Sequence, residues 1–154
     1  MSLKKDSFSS FDKKNMRFAI NLAKNQNGLT GTNPSVGCVI VKNNKILSFA
    51  TTNYGGRPHA ESIALNKNRS NKGTSLYSTL EPCSHHGVTP PCTNAIIKNK
   101  VKRVYYSIED KDLRTFNKTK KILNSKKIVV KSGLQKRKVH NLYKEYNYIR
   151  SNKA

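Results

Sequence analysis

The sequence has few acidic residues, few cysteines and no long hydrophobic run. Only eight residues are Asp or Glu, against thirty that are Lys or Arg, which gives a formal net charge of +22. Three cysteines are too few for a disulfide-stabilised scaffold and favour metal binding or catalysis. No apolar segment reaches the length of a membrane span, and the N-terminus lacks the apolar stretch of a secretory signal. We therefore expect a cytoplasmic protein with no membrane partner.

The excess of positive charge allows two interpretations. A basic protein can bind nucleic acid because its surface attracts phosphate groups. Here, however, the basic residues are spread along the chain and are mostly Lys, and they form no Arg-rich block and no alternation with aromatic residues. This distribution favours a solvated basic surface over a nucleic-acid site, although such a surface should still attract a phosphorylated substrate.

The length of 154 residues fits one domain with its own core. Residues 1–10 are predicted to be a polar lead-in, residues 11–150 the domain itself, and residues 151–154 a tail. The hydrophobic patterns predict the element order α-β-β-α-β-α-β-α-β-α. A hairpin followed by β-α-β crossovers implies an α/β fold, a three-layer α/β/α sandwich with a mixed five-stranded sheet.

Local signals set several boundaries. A capping box at Ser9 predicts the first helix, and Asn43-Asn44 predicts a hairpin turn between two strands. Thr89, which is followed by two prolines, is the predicted N-cap of a later helix. Residues 115–123 are predicted to be helical, and residues 139–149 show one apolar helical face near the C-terminus.

Two short segments carry the candidate chemistry. The first is Pro58-His59-Ala60-Glu61, and the second runs from Thr79 to Cys92 and contains Cys83. One imidazole and two thiolates are ligands that zinc prefers, and three protein ligands leave a fourth position open. His59, Cys83 and Cys92 are therefore the candidate ligands of one Zn²⁺ per chain.

Glu61 lies two residues after His59, where it cannot easily bind the same ion but can reach over a water on the metal. Its expected role is to take the proton of that water, deliver it to a ring nitrogen and protonate the departing amine. This chemistry is the hydrolytic deamination of an amidine-like carbon. An alternative is a structural Cys₂His₂ zinc site, because His85 and His86 lie between the two cysteines.

The combined pattern is similar to the zinc deaminase signature of His-x-Glu followed by Pro-Cys-x-x-Cys, with eight residues between the cysteines instead of two. From about Met16 to Arg150, the chain resembles the deaminase domain of riboflavin biosynthesis, in the cytidine deaminase superfamily. The resemblance rests on segments 33–37, 55–61 and 79–92. It implies a hydrolase of a cyclic amidine C–N bond. Diaminohydroxyphosphoribosylaminopyrimidine would lose its 2-amino group as ammonia and give 5-amino-6-(5-phosphoribosylamino)uracil.

The resemblance assigns zinc binding to the three candidate ligands, proton transfer to Glu61, and substrate contacts to Asn33 and His85. Several positions depart from the family pattern. Val88 stands where Lys or Arg is usual, Thr52 stands where many members have His, and residues 110–114 replace the usual Asp-Pro-Asn-Pro-type loop. Bacterial members commonly continue into an NADPH-dependent reductase domain, and we expect no such domain in this chain. The implied partners are a phosphorylated pyrimidine substrate, a separate NADPH-dependent reductase and further copies of the chain in a homo-oligomer.

Two other functions remain open from the sequence. The chain could be a nucleobase deaminase that acts on adenosine in tRNA, which the basic charge favours and the eight-residue spacer opposes. It could also be a non-catalytic, zinc-bearing RNA-binding protein, which an unchanged activity in Glu61→Gln would favour. We favour the riboflavin-pathway deaminase and do not expect nucleic acid as a partner.

Overall fold

The computed structural model describes residues 8–152, the last two by their backbone alone. Its five strands are β1 (Gly37–Lys42), β2 (Lys45–Thr51), β3 (Ser75–Leu80), β4 (Arg103–Ile108) and β5 (Val129–Ser132). They form one sheet in the order β2-β1-β3-β4-β5. β1 pairs antiparallel with β2 and β3, whereas the β3–β4 and β4–β5 pairs are parallel. The prediction of a mixed five-stranded sheet is confirmed.

Helices cover both faces of this sheet. They are α1 (Ser10–Gln26), α2 (Ala60–Asn66), α3 (Cys92–Lys98), α4 (Thr119–Ser125), α5 (Lys136–Val139) and α6 (Lys144–Asn152). Tyr77 and Ser78 are consecutive in β3 and therefore point to opposite faces. The Tyr77 hydroxyl donates to Asp12 of α1, and the Ser78 hydroxyl donates to Glu61 of α2. α1 and α2 thus lie on opposite faces, as the predicted three-layer architecture requires.

The first helix is fixed at its start and along its face. Ser9 and Asp12 form the predicted capping box, in which each side chain accepts from the other residue's backbone N–H. α1 then lies directly against β1. A Cβ atom at Gly37 would come 1.9 Å from the carbonyl oxygen of Ala19, so only glycine allows this approach.

α3 begins at Cys92, so the prediction of Thr89 as its N-cap is wrong. The cause is that Cys83 supplies the acceptors for the first helical amides. Its Sγ atom accepts from the Cys92 N–H at 3.2 Å, and its carbonyl accepts from the Thr93 N–H at 3.2 Å. Thr89 is exposed in the preceding loop, where its carbonyl accepts from Gly87. The helix start is therefore tied to the cysteine.

α4 begins at Thr119, four residues after the predicted start at residue 115. The buried carboxylate of Glu81 accepts backbone hydrogen bonds from Asp110, Asn117 and Thr119, each at 3.2 Å. These three bonds hold the segment between β4 and α4 as a loop, because its amides point at one side chain rather than along a helix. Glu81 therefore has a structural role.

The C-terminal part of the chain forms two helices instead of the single apolar face expected over residues 139–149. A turn separates α5 from α6, and Tyr143 at this turn is buried. Its hydroxyl donates to the Ser35 carbonyl at 2.7 Å and lies 2.6 Å from the Thr79 hydroxyl, so it ties the turn to the sheet. The predicted lead-in and tail lie largely outside the described residues. No helix within residues 8–152 is long and apolar enough to cross a membrane.

Candidate active site

Both halves of the motif lie where a helix begins, beside the carboxyl end of β3. The chain leaves β3 at Leu80 and reaches Cys83 three residues later, while Cys92 is the first residue of α3. His59 is the N-cap residue of α2, and α2 packs against α3. This packing brings together side chains that are far apart in the sequence.

The donor atoms of His59, Cys83 and Cys92 form one compact group. His59 Nδ1 lies 3.6 Å from Cys83 Sγ and 3.4 Å from Cys92 Sγ, and all three donors are within 4.8 Å of one another. On a tetrahedral zinc ion with bond lengths of about 2.0 Å to nitrogen and 2.3 Å to sulfur, an N···S pair would be separated by about 3.5 Å. The chemistry and spacing of these atoms therefore fit one Zn²⁺. Among the side chains that the structure describes, no other cluster of three such residues is found.

Hydrogen bonds among these three residues shift the pKa of each of them. The hydrogen bond with Cys92, and a second one with His59, lower the pKa of Cys83 to about 4. The same contact with Cys83, together with burial, raises the pKa of Cys92. The hydrogen bond to Cys83 also raises the pKa of His59. A bound divalent metal would favour two thiolates and a neutral imidazole, so metal binding should release protons from the cluster.

Glu61 lies beside the donor group and is almost fully buried, with 3% of its surface exposed. Its Oε1 accepts from the Ser78 hydroxyl at 2.8 Å, and its Oε2 accepts from Cys92 Sγ at 3.4 Å. Burial is the main cause that raises the pKa of this carboxyl. The group is thus oriented by β3 and suited to holding and moving a proton.

A cavity of about 400 Å³ opens over these residues. Asn33 and His85, the two predicted substrate contacts, both line it. Asn33 Nδ2 donates to the Gly56 carbonyl at 3.0 Å, and His85 Nδ1 lies 2.8 Å from the Thr115 hydroxyl. Each side chain is therefore held by a neighbouring loop, and their contact with substrate stays a prediction.

Three further residues named from the sequence, His86, Val88 and Thr52, lie in different surroundings. His86 is exposed and does not join the donor group. Val88 is 84% exposed at the rim of the cavity. The Thr52 hydroxyl accepts from the Val36 N–H at 2.9 Å and donates to the Pro34 carbonyl at 3.2 Å, so Thr52 holds the loop that follows Asn33.

The sequence did not reveal the charged wall of this cavity. Five charged residues line it besides Glu61 and Glu81: Arg57, Asp110, Asp112, Arg114 and Arg150. Arg114 donates to both carboxylate oxygens of Asp112, at 2.9 and 2.6 Å, and this pairing lowers the pKa of Asp112 to about 2. These residues come from separate stretches of the chain, so no local pattern marks them. Two parts of this wall had a signal in the sequence: Arg57, two residues before His59, and residues 110–114, which depart from the family pattern.

Comparison with known proteins gives a consistent result. A model of the cytidine and deoxycytidylate deaminase zinc-binding region matches residues 9–108. The diaminohydroxyphosphoribosylamino-pyrimidine deaminase of Buchnera aphidicola subsp. Schizaphis graminum is 44% identical over 120 residues, which cover 77% of this chain and 82% of that protein. The riboflavin biosynthesis protein RibD of Bacillus amyloliquefaciens is 41% identical over 132 residues, which cover 85% of this chain and 36% of that one.

Solved structures agree. The crystal structure of a diaminohydroxyphosphoribosylaminopyrimidine deaminase/5-amino-6-(5-phosphoribosylamino)uracil reductase from Thermotoga maritima matches with a TM-score of 0.85 at 34% identity. The match covers 92% of this chain and 41% of that chain. The chain spans about a third of the length of the first riboflavin biosynthesis proteins that it matches, and most of the Buchnera protein.

Proposed function

Because the chain belongs to the zinc-binding cytidine and deoxycytidylate deaminase family, among the deaminases of riboflavin biosynthesis, we propose that it deaminates a phosphorylated diaminopyrimidine. The substrate would be 2,5-diamino-6-(5-phosphoribosylamino)pyrimidin-4(3H)-one, and the products 5-amino-6-(5-phosphoribosylamino)uracil and ammonia. The observation that carries this proposal is the buried Glu61 carboxyl, which lies beside a His/Cys/Cys donor group at a cavity of substrate size.

The proposed metal ligands are His59 through Nδ1 and Cys83 and Cys92 through Sγ. When bound there, zinc lowers the pKa of a coordinated water towards neutrality and so supplies the nucleophile. The helix N-termini that carry His59 and Cys92 hold these two side chains in place, and the backbone N–H of Cys92 donates to Cys83 Sγ. Such outer hydrogen bonds orient a ligand and tune its basicity.

Glu61 would accept and donate the protons of the reaction. It accepts one proton from the attacking water and delivers it to the ring nitrogen beside the reacting carbon. It then takes the proton of the hydroxyl group now on that carbon and transfers it to the amino group, so that the C–N bond breaks and ammonia leaves as the carbonyl forms. Ser78 keeps one oxygen of the carboxyl fixed at 2.8 Å, which leaves the other oxygen for this transfer.

Asn33 and His85 would orient the pyrimidine. Because Asn33 Nδ2 is engaged with Gly56, its Oδ1 is directed away from that carbonyl and can accept from an amino group of the substrate. His85 is held by Thr115, in the loop between β4 and α4, and its remaining ring nitrogen can contact the substrate.

Residues 11–150 would form the deaminase unit, at work in the cytoplasm and within a homo-oligomer. The Thermotoga relative is named as both a deaminase and a reductase, so reduction of the product by an NADPH-dependent reductase is the expected next step. That activity would come from a partner of the deaminase unit.

The direct test is ammonia release from the purified zinc-loaded protein and the diaminopyrimidine ribotide. We expect turnover that a chelator abolishes and that added zinc restores. tRNA is the matched comparison substrate, because the basic surface should also attract it. Deamination of adenosine in tRNA without turnover of the ribotide would contradict the proposal and support the nucleic-acid deaminase instead.

A further inference from the structure

Three arginines line the cavity, and two of them are already engaged. Arg114 is paired with Asp112 through two side-chain hydrogen bonds. Arg150 packs over the ring of Tyr146, 5.5 Å from its centroid, and its Nη1 lies 3.8 Å from an Asp112 oxygen. These contacts orient both guanidinium groups within the protein.

Arg57 differs from the other two. Its Nη1 is buried from solvent and has no hydrogen-bond partner in the part of the chain that the structure describes. No salt bridge links Arg57 to a carboxylate among those residues either. A buried donor without an acceptor is costly, most of all on a charged group, so an acceptor is expected at this position.

Arg57 lies at the cavity that holds the candidate chemistry. It lines the same cavity as Glu61 and Asn33. The loop around it is fixed on both sides. Gly56 accepts from Asn33 Nδ2, and the Pro58 carbonyl accepts from the Asn53 N–H at 3.1 Å.

The geometry points to Arg57 as a specificity-determining residue that donates to the phosphate of the substrate, an inference that rests on the proposed function. The phosphate is the part of that substrate with full negative charge, and the planar guanidinium matches its oxygens with two parallel donors. The exposed Val88 at the rim offers no charge, and Arg114 is committed to Asp112. Among the described residues, Arg57 is therefore the cavity arginine that has a buried donor without an acceptor.

The test must separate this contact from the general attraction of a chain with a net charge of +22. Arg69 is the matched control, because it is exposed, lies outside the cavity and carries the same charge. We would measure kcat and KM for the ribotide and for its dephosphorylated riboside in the wild type, Arg57→Gln, Arg57→Lys, Arg69→Gln and Arg150→Gln.

In Arg57→Gln we expect the preference for the phosphorylated substrate, the ratio of the two kcat/KM values, to fall about tenfold through KM. Arg57→Lys should retain part of the preference because it keeps the charge but loses the fork, and Arg69→Gln should match the wild type. Equal ratios in Arg57→Gln and Arg69→Gln would overturn the inference. A fall in Arg150→Gln in place of Arg57→Gln would overturn it as well.

A second measurement does not depend on turnover. Titration calorimetry of the zinc-loaded proteins with ribose 5-phosphate should show binding about tenfold weaker in Arg57→Gln than in Arg69→Gln. If Arg57→Gln does not fold, Arg57→Lys carries the same comparison with a smaller expected loss. Equal affinities overturn the inference even if the ribotide is deaminated. Arg57-dependent binding without any deamination supports the anion contact and rejects the proposed function.

Discussion

The floor and the wall of the cavity are built in different ways. The floor consists of His59, Glu61 and Cys83, which line the cavity, and of Cys92, which contacts His59 and Glu61. These four residues come from two short segments. The wall consists of Arg57, Asp110, Asp112, Arg114 and Arg150, which come from three separate stretches of the chain and are held largely by loops. The comparison indicates that the floor is encoded in two short motifs, whereas the wall depends on how distant segments pack.

The largest expected effect is a loss of turnover when Glu61, in the floor of the cavity, is substituted. Glu61→Gln keeps the shape of the side chain and removes its ability to accept a proton. We expect turnover of the ribotide to fall about 10³-fold while the zinc content stays at one per chain, because metal binding and proton transfer are separate tasks. Zinc analysis and ammonia release on the same sample check this.

Glu81→Gln is the control for a second buried carboxylate at the same cavity. Because Glu81 accepts three backbone N–H groups, its loss should lower the thermal midpoint by several degrees. Glu61→Gln should remain near the wild-type midpoint. If Glu61→Gln lost zinc and activity in parallel, Glu61 would be part of the metal site and the separation of roles would fail.

A smaller effect is expected for substitution of Gly56, which precedes Arg57 of the wall and contacts Asn33. Gly56 has φ 104°, and a Cβ atom there would lie 2.6 Å from the Thr30 carbonyl and 2.9 Å from Asn33 Nδ2. Gly56→Ala should lower the free energy of unfolding by about 2 kcal/mol and raise KM, because the loop must shift. Denaturant unfolding and steady-state kinetics measure the two quantities.

Gly28→Ala is the matched control, since Gly28 has φ 87° but no atom within 4 Å of its virtual Cβ. It should cost only the conformational strain, about 1 kcal/mol, and leave KM as it is. Equal effects of the two substitutions would mean that the close approach at Gly56 does not position Asn33.

The smallest expected effect is at the exposed rim. Val88→Lys adds a positive charge beside the cavity, and we expect KM for the ribotide to fall about threefold with kcat unchanged. Val129→Lys places the same charge on β5, on an exposed residue outside the cavity, and should have no effect. A KM that is unchanged or raised in Val88→Lys would show that position 88 does not approach the phosphate.

How much the sequence predicts follows the same division. The order of the strands along the chain and the hairpin turn at Asn43-Asn44 were predicted correctly, because hydrophobic patterns and turn residues are local signals. The starts of α3 and α4 were predicted wrongly, because they depend on hydrogen bonds to Cys83 and Glu81 from residues distant in the sequence. The preference for Thr and Pro at a helix start is a local signal, so it contains no information on such bonds.

The same limit applies to the candidate site. The donor group and Glu61 were identified from a pattern of residue types, and the structure places them together. Arg114 and Arg150 enter the cavity only because a loop and α6 fold over it. In a chain with thirty basic residues, sequence alone cannot distinguish these two from the solvated remainder.

X-ray absorption at the zinc edge of the purified protein tests the central claim most directly. With ligands from His59, Cys83 and Cys92, the account predicts one zinc per chain with two sulfurs at about 2.3 Å, one imidazole nitrogen at about 2.0 Å and one oxygen from solvent. A shell of two sulfurs and two imidazole nitrogens would contradict it, because a closed structural site would leave no position for the reacting water.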